Sequence, residues 1–301
     1  MRIRKFIPKS CGALAALASF FMFLTVVEAG IYEKVNFQNA DSLDLTAYLV
    51  RPDREGPYPA VVFLHGCGGM MYSGYVTSIY ASWVQQLTAK GLAVLLVDSR
   101  GSRGLGPTCG KSKNRVRMYR ERPKDAYAAL AYLQAQDFIL GDKIGVVGWS
   151  QGGGVVLLTI EHDSSGRPVP LPEHDFAVAA AFYPALCSDR IQSRPYTKIE
   201  PNSWSTKIPL LVLFGGSDNW TLLAPCVQFI ETVQKRGNPV SITVFPGAYH
   251  GFDAPALKIM TLPKYKTVSG VIPIVGTHEE SRNAALQQLP AFLSKYLLPE
   301  K

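Results

Sequence analysis

The sequence predicts an α/β protein, a mostly parallel sheet with helices on both faces. Three observations carry that expectation. Continuous apolar runs such as Pro59–Gly66, Leu92–Asp98 and Pro209–Phe214 have the pattern of strands buried on both faces. They alternate with segments whose apolar residues recur at helical spacing, which is the order of a doubly covered sheet. The stretch Ile144-Gly-Val-Val-Gly-Trp-Ser-Gln-Gly-Gly-Gly154 joins a strand to a helix through a glycine-flanked turn. With 47% hydrophobic and 18% charged residues among 301, disorder is excluded and a large core can form. Neither linker nor repeat follows residue 30, so residues 30–301 read as one domain.

The N-terminal segment stands apart from that pattern. Met1–Lys9 is basic, Gly12–Val27 is uncharged and mostly apolar, and Val27-Glu-Ala29 offers small residues for a signal peptidase. An apolar run of about 16 residues is short for a membrane span, so residues 1–29 read as a cleaved export signal, with a retained anchor as the rival. Cys11 precedes the apolar run, whereas a lipoprotein cysteine would follow it. Cleavage removes Arg2, Arg4, Lys5, Lys9 and Glu28, a net three positive charges, and takes the formal charge from +8 to +5. That charge does not imply a nucleic-acid partner. The expected location is periplasmic or extracellular, with no membrane span once the signal is gone.

Taken in order, Glu33–Gln38 and Leu43–Val50 read as strands joined by a polar turn. Pro59–Gly66 is a buried strand, Tyr75–Lys90 a helix stopped by Gly91, and Leu92–Asp98 another buried strand. A basic loop follows, with nine Lys/Arg from Arg100 to Lys124 against the single acid Glu121. It reads as a solvated basic surface, the alternative being attraction of an anionic substrate. Arg122–Phe138 is a helix, Lys143–Trp149 a strand and Gln151–Glu161 the helix behind it. Phe176–Tyr183 and Pro209–Phe214 are strands, Leu222–Arg236 a helix, Val240–Phe245 the last strand and Glu279–Leu297 the closing helix. Ser188–Lys207 and Asp253–His278 break the alternation and read as irregular loops above the sheet.

The chemistry gathers at the carboxyl ends of these strands. Gly148-Trp-Ser-Gln-Gly152 has the form of a nucleophile elbow, in which Ser150 sits in a strained turn and Gly148 and Gly152 remove side chains that would collide. A serine hydroxyl needs a base to take its proton, and His250, just after the last strand, is the candidate. Asp218, in Phe214-Gly-Gly-Ser-Asp-Asn-Trp220, would orient that histidine, although an aspartate there could simply cap a helix. Asp98 also ends a strand, but that strand precedes the elbow. The oxyanion needs two N–H donors, expected from Gln151 and from Cys67 in His65-Gly-Cys-Gly-Gly69. Four cysteines remain after signal removal, Cys67, Cys109, Cys187 and Cys226, which suggests two disulfides with three possible connectivities. The chain carries neither a Cys-x-x-Cys pair nor a Cys/His cluster at zinc spacing, so no metal is expected.

These motifs, with Val97-Asp-Ser-Arg-Gly101 and Tyr249-His-Gly-Phe-Asp253, resemble the dienelactone hydrolase group of the α/β-hydrolase superfamily from about Leu45 to Leu297. The resemblance implies an eight-stranded, mostly parallel sheet, no cofactor, and hydrolysis of small-molecule esters or lactones through an acyl-enzyme. It also implies the pairs Cys67–Cys109 and Cys187–Cys226, each tying neighbouring strand ends around the site. Dienelactone hydrolase itself carries a cysteine nucleophile where Ser150 stands here, which favours a broader esterase. The rivals are a peptidase or acyltransferase on the same fold and, in another class, a non-catalytic binding protein.

Overall fold

The computed structural model describes residues 32–110, 113–191, 197, 200–267 and 269–298. The expected export signal lies outside them. Eight strands form the central sheet: β1 (Glu33–Gln38), β2 (Asp44–Val50), β3 (Tyr58–Leu64), β4 (Ala93–Val97), β5 (Ile139–Trp149), β6 (Val178–Phe182), β7 (Leu210–Gly215) and β8 (Val240–Phe245). Their order is β1-β2-β4-β3-β5-β6-β7-β8. β1 and β2 pair antiparallel, β2 joins β4 antiparallel, and all later pairings are parallel. The eight-stranded sheet is the one the resemblance implies.

Among the described residues five α-helices accompany it: α1 (Ser78–Thr88), α2 (Arg115–Gln134), α3 (Gln151–Ile160), α4 (Leu223–Lys235) and α5 (Glu279–Leu297). α1 packs with α5 and α2 with α3, while the Trp204 indole joins α3 to α4 by donating to Leu157 O at 3.1 Å and stacking edge-on against Phe229. The helices therefore lie on two faces. β3, β4, β6 and β7 are buried along their full length, which explains why they read as unbroken apolar runs rather than alternating ones. All of α3 is buried as well, so it has no polar face to show helical periodicity.

Some boundaries differ from the sequence expectation. The helix expected from Tyr75 begins at Ser78, because Tyr75–Val76 pairs with Met71–Tyr72 in a small hairpin. α2 begins at Arg115, seven residues before Arg122, and encloses Pro123. Asp253–His278 is not wholly irregular: Met260–Thr261 pairs with Ile274–Val275. Among the described residues, no helix is long and apolar enough to cross a membrane.

Register sets the site. Leu64 of β3 is level with Gly148 of β5, Trp149 with Phe182 of β6, Phe182 with Leu213 of β7, and Gly215 with Phe245 of β8. The loops leaving these strands start at one height along one edge.

Candidate active site

Ser150 follows β5 with φ 53° and ψ −114°, a left-handed conformation that a serine adopts only when its surroundings hold it there. Its N–H donates to Phe182 O at 2.9 Å, and its carbonyl accepts from Ala185 N at 2.9 Å. A Cβ on Gly148 would collide with the Gly152 carbonyl, and one on Gly152 with the Leu64 carbonyl. The two glycines thus let the turn close against β3. Ser150 is half-buried.

Asp218 leaves β7 and His250 leaves β8. His250 Nδ1 lies 2.7 Å from Asp218 Oδ2. The Asp218 carboxylate also accepts from Trp220 N at 2.7 Å, Thr221 N at 3.1 Å and Thr221 Oγ1 at 2.9 Å. Burial pushes the Asp218 pKa up, but the facing His250 and these donors outweigh it and hold the group below the ordinary aspartate value. The aspartate also braces the turn at Trp220–Thr221, but it does not cap α4, whose N-cap is Leu222 without a side-chain cap hydrogen bond. Asp98, the other strand-end acid, instead accepts from Gly101 N at 3.0 Å.

Two aromatic rings hold the His250 imidazole. Tyr183 lies 4.4 Å from it and Trp220 4.8 Å, centroid to centroid, and Trp220 stacks at 5.8 Å on Tyr265. Tyr183 is the residue after Phe182, whose carbonyl receives the Ser150 N–H, so serine and histidine are positioned by adjacent residues. Among the described residues, Ser150 Oγ makes no hydrogen bond to His250. Catalytic contacts of this kind commonly tighten only with substrate bound.

The loop after β3 abuts the serine. A Cβ on Gly66 would lie 3.6 Å from Ser150 Cβ. Gly66 N donates to Tyr80 Oη at 2.8 Å and Gly69 N to Gly66 O at 3.1 Å. The N–H groups of Cys67 and of Gln151, the first residue of α3, have no acceptor among the described residues. His65 is fully buried; burial and the facing Arg122 hold its pKa well below the ordinary histidine value, and its Nδ1 lies 2.6 Å from Gly66 O while Nε2 accepts from Arg100 N at 3.2 Å. It is a neutral strut of this loop. The disulfides are Cys67–Cys109 and Cys187–Cys226. The first ties the loop after β3 to the loop after β4, where Thr108 N also donates to Cys67 O at 2.9 Å.

Three groups here were given no role by the sequence reading. Asp253 is fully buried and accepts from Trp83 Nε1 at 2.7 Å, Trp149 Nε1 at 2.8 Å and Tyr183 Oη at 2.7 Å, linking the elbow to the ring over His250. Arg103 pairs with Asp125 at 2.7 Å and Glu121 at 2.9 Å. Arg122 donates to His65 O at 2.8 Å. The basic run is therefore not one solvated surface: Arg103 and Arg122 are interior, and Arg117 and Lys124 pair with Glu121 and Asp41.

The sequence model of the dienelactone hydrolase family matches residues 45–297. A probable dipeptidyl-aminopeptidase B from Sordaria macrospora is 27% identical over 236 residues, 71% of this chain and 24% of that protein, so the chain spans about a quarter of its length. A probable 2-oxo-3-(5-oxofuran-2-ylidene)propanoate lactonase from Bradyrhizobium is 23% identical over 211 residues, 68% of this chain and 78% of that one. The crystal structure of a putative dienelactone hydrolase from Klebsiella pneumoniae superposes with TM-score 0.65 at 17% identity, covering 88% of this chain and 99% of that one. That likeness shows the α/β-hydrolase fold.

Proposed function

The chain belongs to the dienelactone hydrolase family, and from that premise we propose that it hydrolyses carboxylic esters or lactones through an acyl-enzyme on Ser150. The observation that carries the proposal is the buried His250–Asp218 pair, at 2.7 Å, on the sheet edge where Ser150 is held at φ 53°. Ser150 Oγ attacks the acyl carbon and its proton passes to His250 Nε2. Asp218 accepts a hydrogen bond from Nδ1–H and stabilises the imidazolium. The carbonyl oxygen becomes an oxyanion held by the N–H groups of Cys67 and Gln151. Collapse breaks the ester bond, and the leaving alcohol takes the proton from His250. Water, deprotonated by His250, then attacks the acyl-enzyme and restores Ser150.

A peptidase reading is favoured by one observation, the likeness to a dipeptidyl-aminopeptidase. Initial rates on p-nitrophenyl esters of graded acyl length, simple lactones and aminoacyl p-nitroanilides separate the two. Ester or lactone turnover that disappears in Ser150→Ala supports the proposal; turnover confined to the anilides replaces it with the peptidase reading. We further read residues 1–29 as an export signal ahead of a single hydrolase domain, and the two disulfides support an oxidising destination.

A further inference from the structure

Arg122 is fully buried on α2. Its Nη2 donates to His65 O at 2.8 Å and its Nη1 to Gln151 Oε1 at 3.4 Å, while its Nε has no hydrogen-bond partner. Among the described residues, no carboxylate lies within ion-pairing distance of it. Asp125, one turn further along α2, is held by Arg103 and Asn39. A buried guanidinium without a carboxylate partner is destabilising. Burial lowers its pKa to about 10, and it remains a cation at neutral pH.

The two groups it touches belong to the two halves of the oxyanion site. His65 lies two residues before Cys67 in the loop after β3, and Gln151 carries the other candidate N–H. Thr108 clasps the same pair: its N donates to Cys67 O and its Oγ1 to Gln151 Oε1, each at 2.9 Å. Arg103 offers the contrast of a buried arginine side chain already paired with Asp125 and Glu121.

We propose that Arg122 is a positioning residue for the oxyanion hole, bridging its two halves and placing behind them a positive charge that lacks a direct ion-pair partner. The proposal rests on the hydrolase reading above. A negative charge close in front of it develops when the substrate carbonyl becomes an oxyanion, so its effect is larger in the transition state than in the bound ester. It acts on kcat and leaves KM little changed.

The test compares wild type, Arg122→Gln and Arg122→Lys for kcat and KM on the best p-nitrophenyl ester, and for inhibition by an arylboronic acid, which forms a tetrahedral anion on a serine. Thermal unfolding of each variant accompanies the kinetics. Arg122→Gln is expected to lower kcat about 100-fold, the scale of losing an oxyanion donor. KM should stay within about twofold, and boronate affinity should fall in proportion to kcat. Arg122→Lys, which keeps the charge, is expected to recover part of the loss. A kcat within about threefold of wild type in Arg122→Gln, equal losses in both variants, or unfolding of both overturns the proposal in favour of a purely structural arginine. A wild-type enzyme without ester turnover fails differently, because the hydrolase reading falls first.

Discussion

Ser150, at φ 53°, shows how a single residue's backbone can be legible in a sequence. The conformation demands glycine on either side, because a Cβ at Gly148 or Gly152 would run into a carbonyl. That demand leaves a local mark, as do the glycines around Cys67 and the turn around Asp218. Arg122, Tyr183 and Asp253 left no such mark. Their roles arise from contacts with residues distant in sequence, and a lone arginine in a basic run or an aspartate after a histidine has no local signature of burial. A further buried acid makes a prediction at this scale. Glu161 is 1% exposed; its Oε2 accepts from Asp163 N at 2.7 Å and its Oε1 has no partner. Burial, reinforced by the Asp163 charge, pushes its pKa up to about 7. Between the ordinary glutamate value, about 4.3, and that value the folded protein holds a proton the unfolded chain has released, so stability falls as pH rises across this window. Glu161→Gln is expected to unfold at the wild-type temperature near pH 4 and above it near pH 8. Equal melting temperatures at both pH values contradict this account of Glu161.

At the scale of elements, the buried strands were legible because a doubly covered strand has no polar face to interrupt it. α2 was legible only in its second half. Its first two turns are dominated by charged residues, and Arg122-Pro123 has the form of a helix start, since proline suits the first turn. In the structure the helix extends back to Arg115, with Met118 and Tyr119 buried and Arg117 paired to Glu121 one turn on. The disulfide pairing followed from the resemblance rather than from spacing, since four cysteines alone allow three connectivities. Cys187–Cys226 joins the loop after β6 to α4 across 39 residues of chain. In the chain-entropy picture, closing a loop of that length stabilises by about 4 kcal/mol. The Cys187→Ser, Cys226→Ser double variant is expected to lose stability of that order in urea unfolding. A loss under about 1 kcal/mol means the bridge adds little to the folded state.

At the scale of the whole molecule, the sheet brings separate segments to one edge. Level strand ends place the turn at Ser150, the loop through Cys67, Asp218 and His250 together, although 153 residues separate His65 from Asp218 in the chain. The motifs were readable singly, while their convergence depends on strand order and register, which only the fold supplies. What surrounds the site was least legible. Trp220 and Tyr265 come from two different loops, one of them in the stretch that read as irregular, and only in the folded chain does Tyr265 stack on the Trp220 ring that packs against His250. The central claim is that Ser150 is an activated nucleophile, and active-site labelling tests it most directly. After treatment with a fluorophosphonate, peptide mapping is expected to show a single adduct on Ser150, absent in Ser150→Ala and strongly slowed in His250→Ala. An unlabelled wild-type protein, or an adduct that persists in Ser150→Ala, contradicts the account.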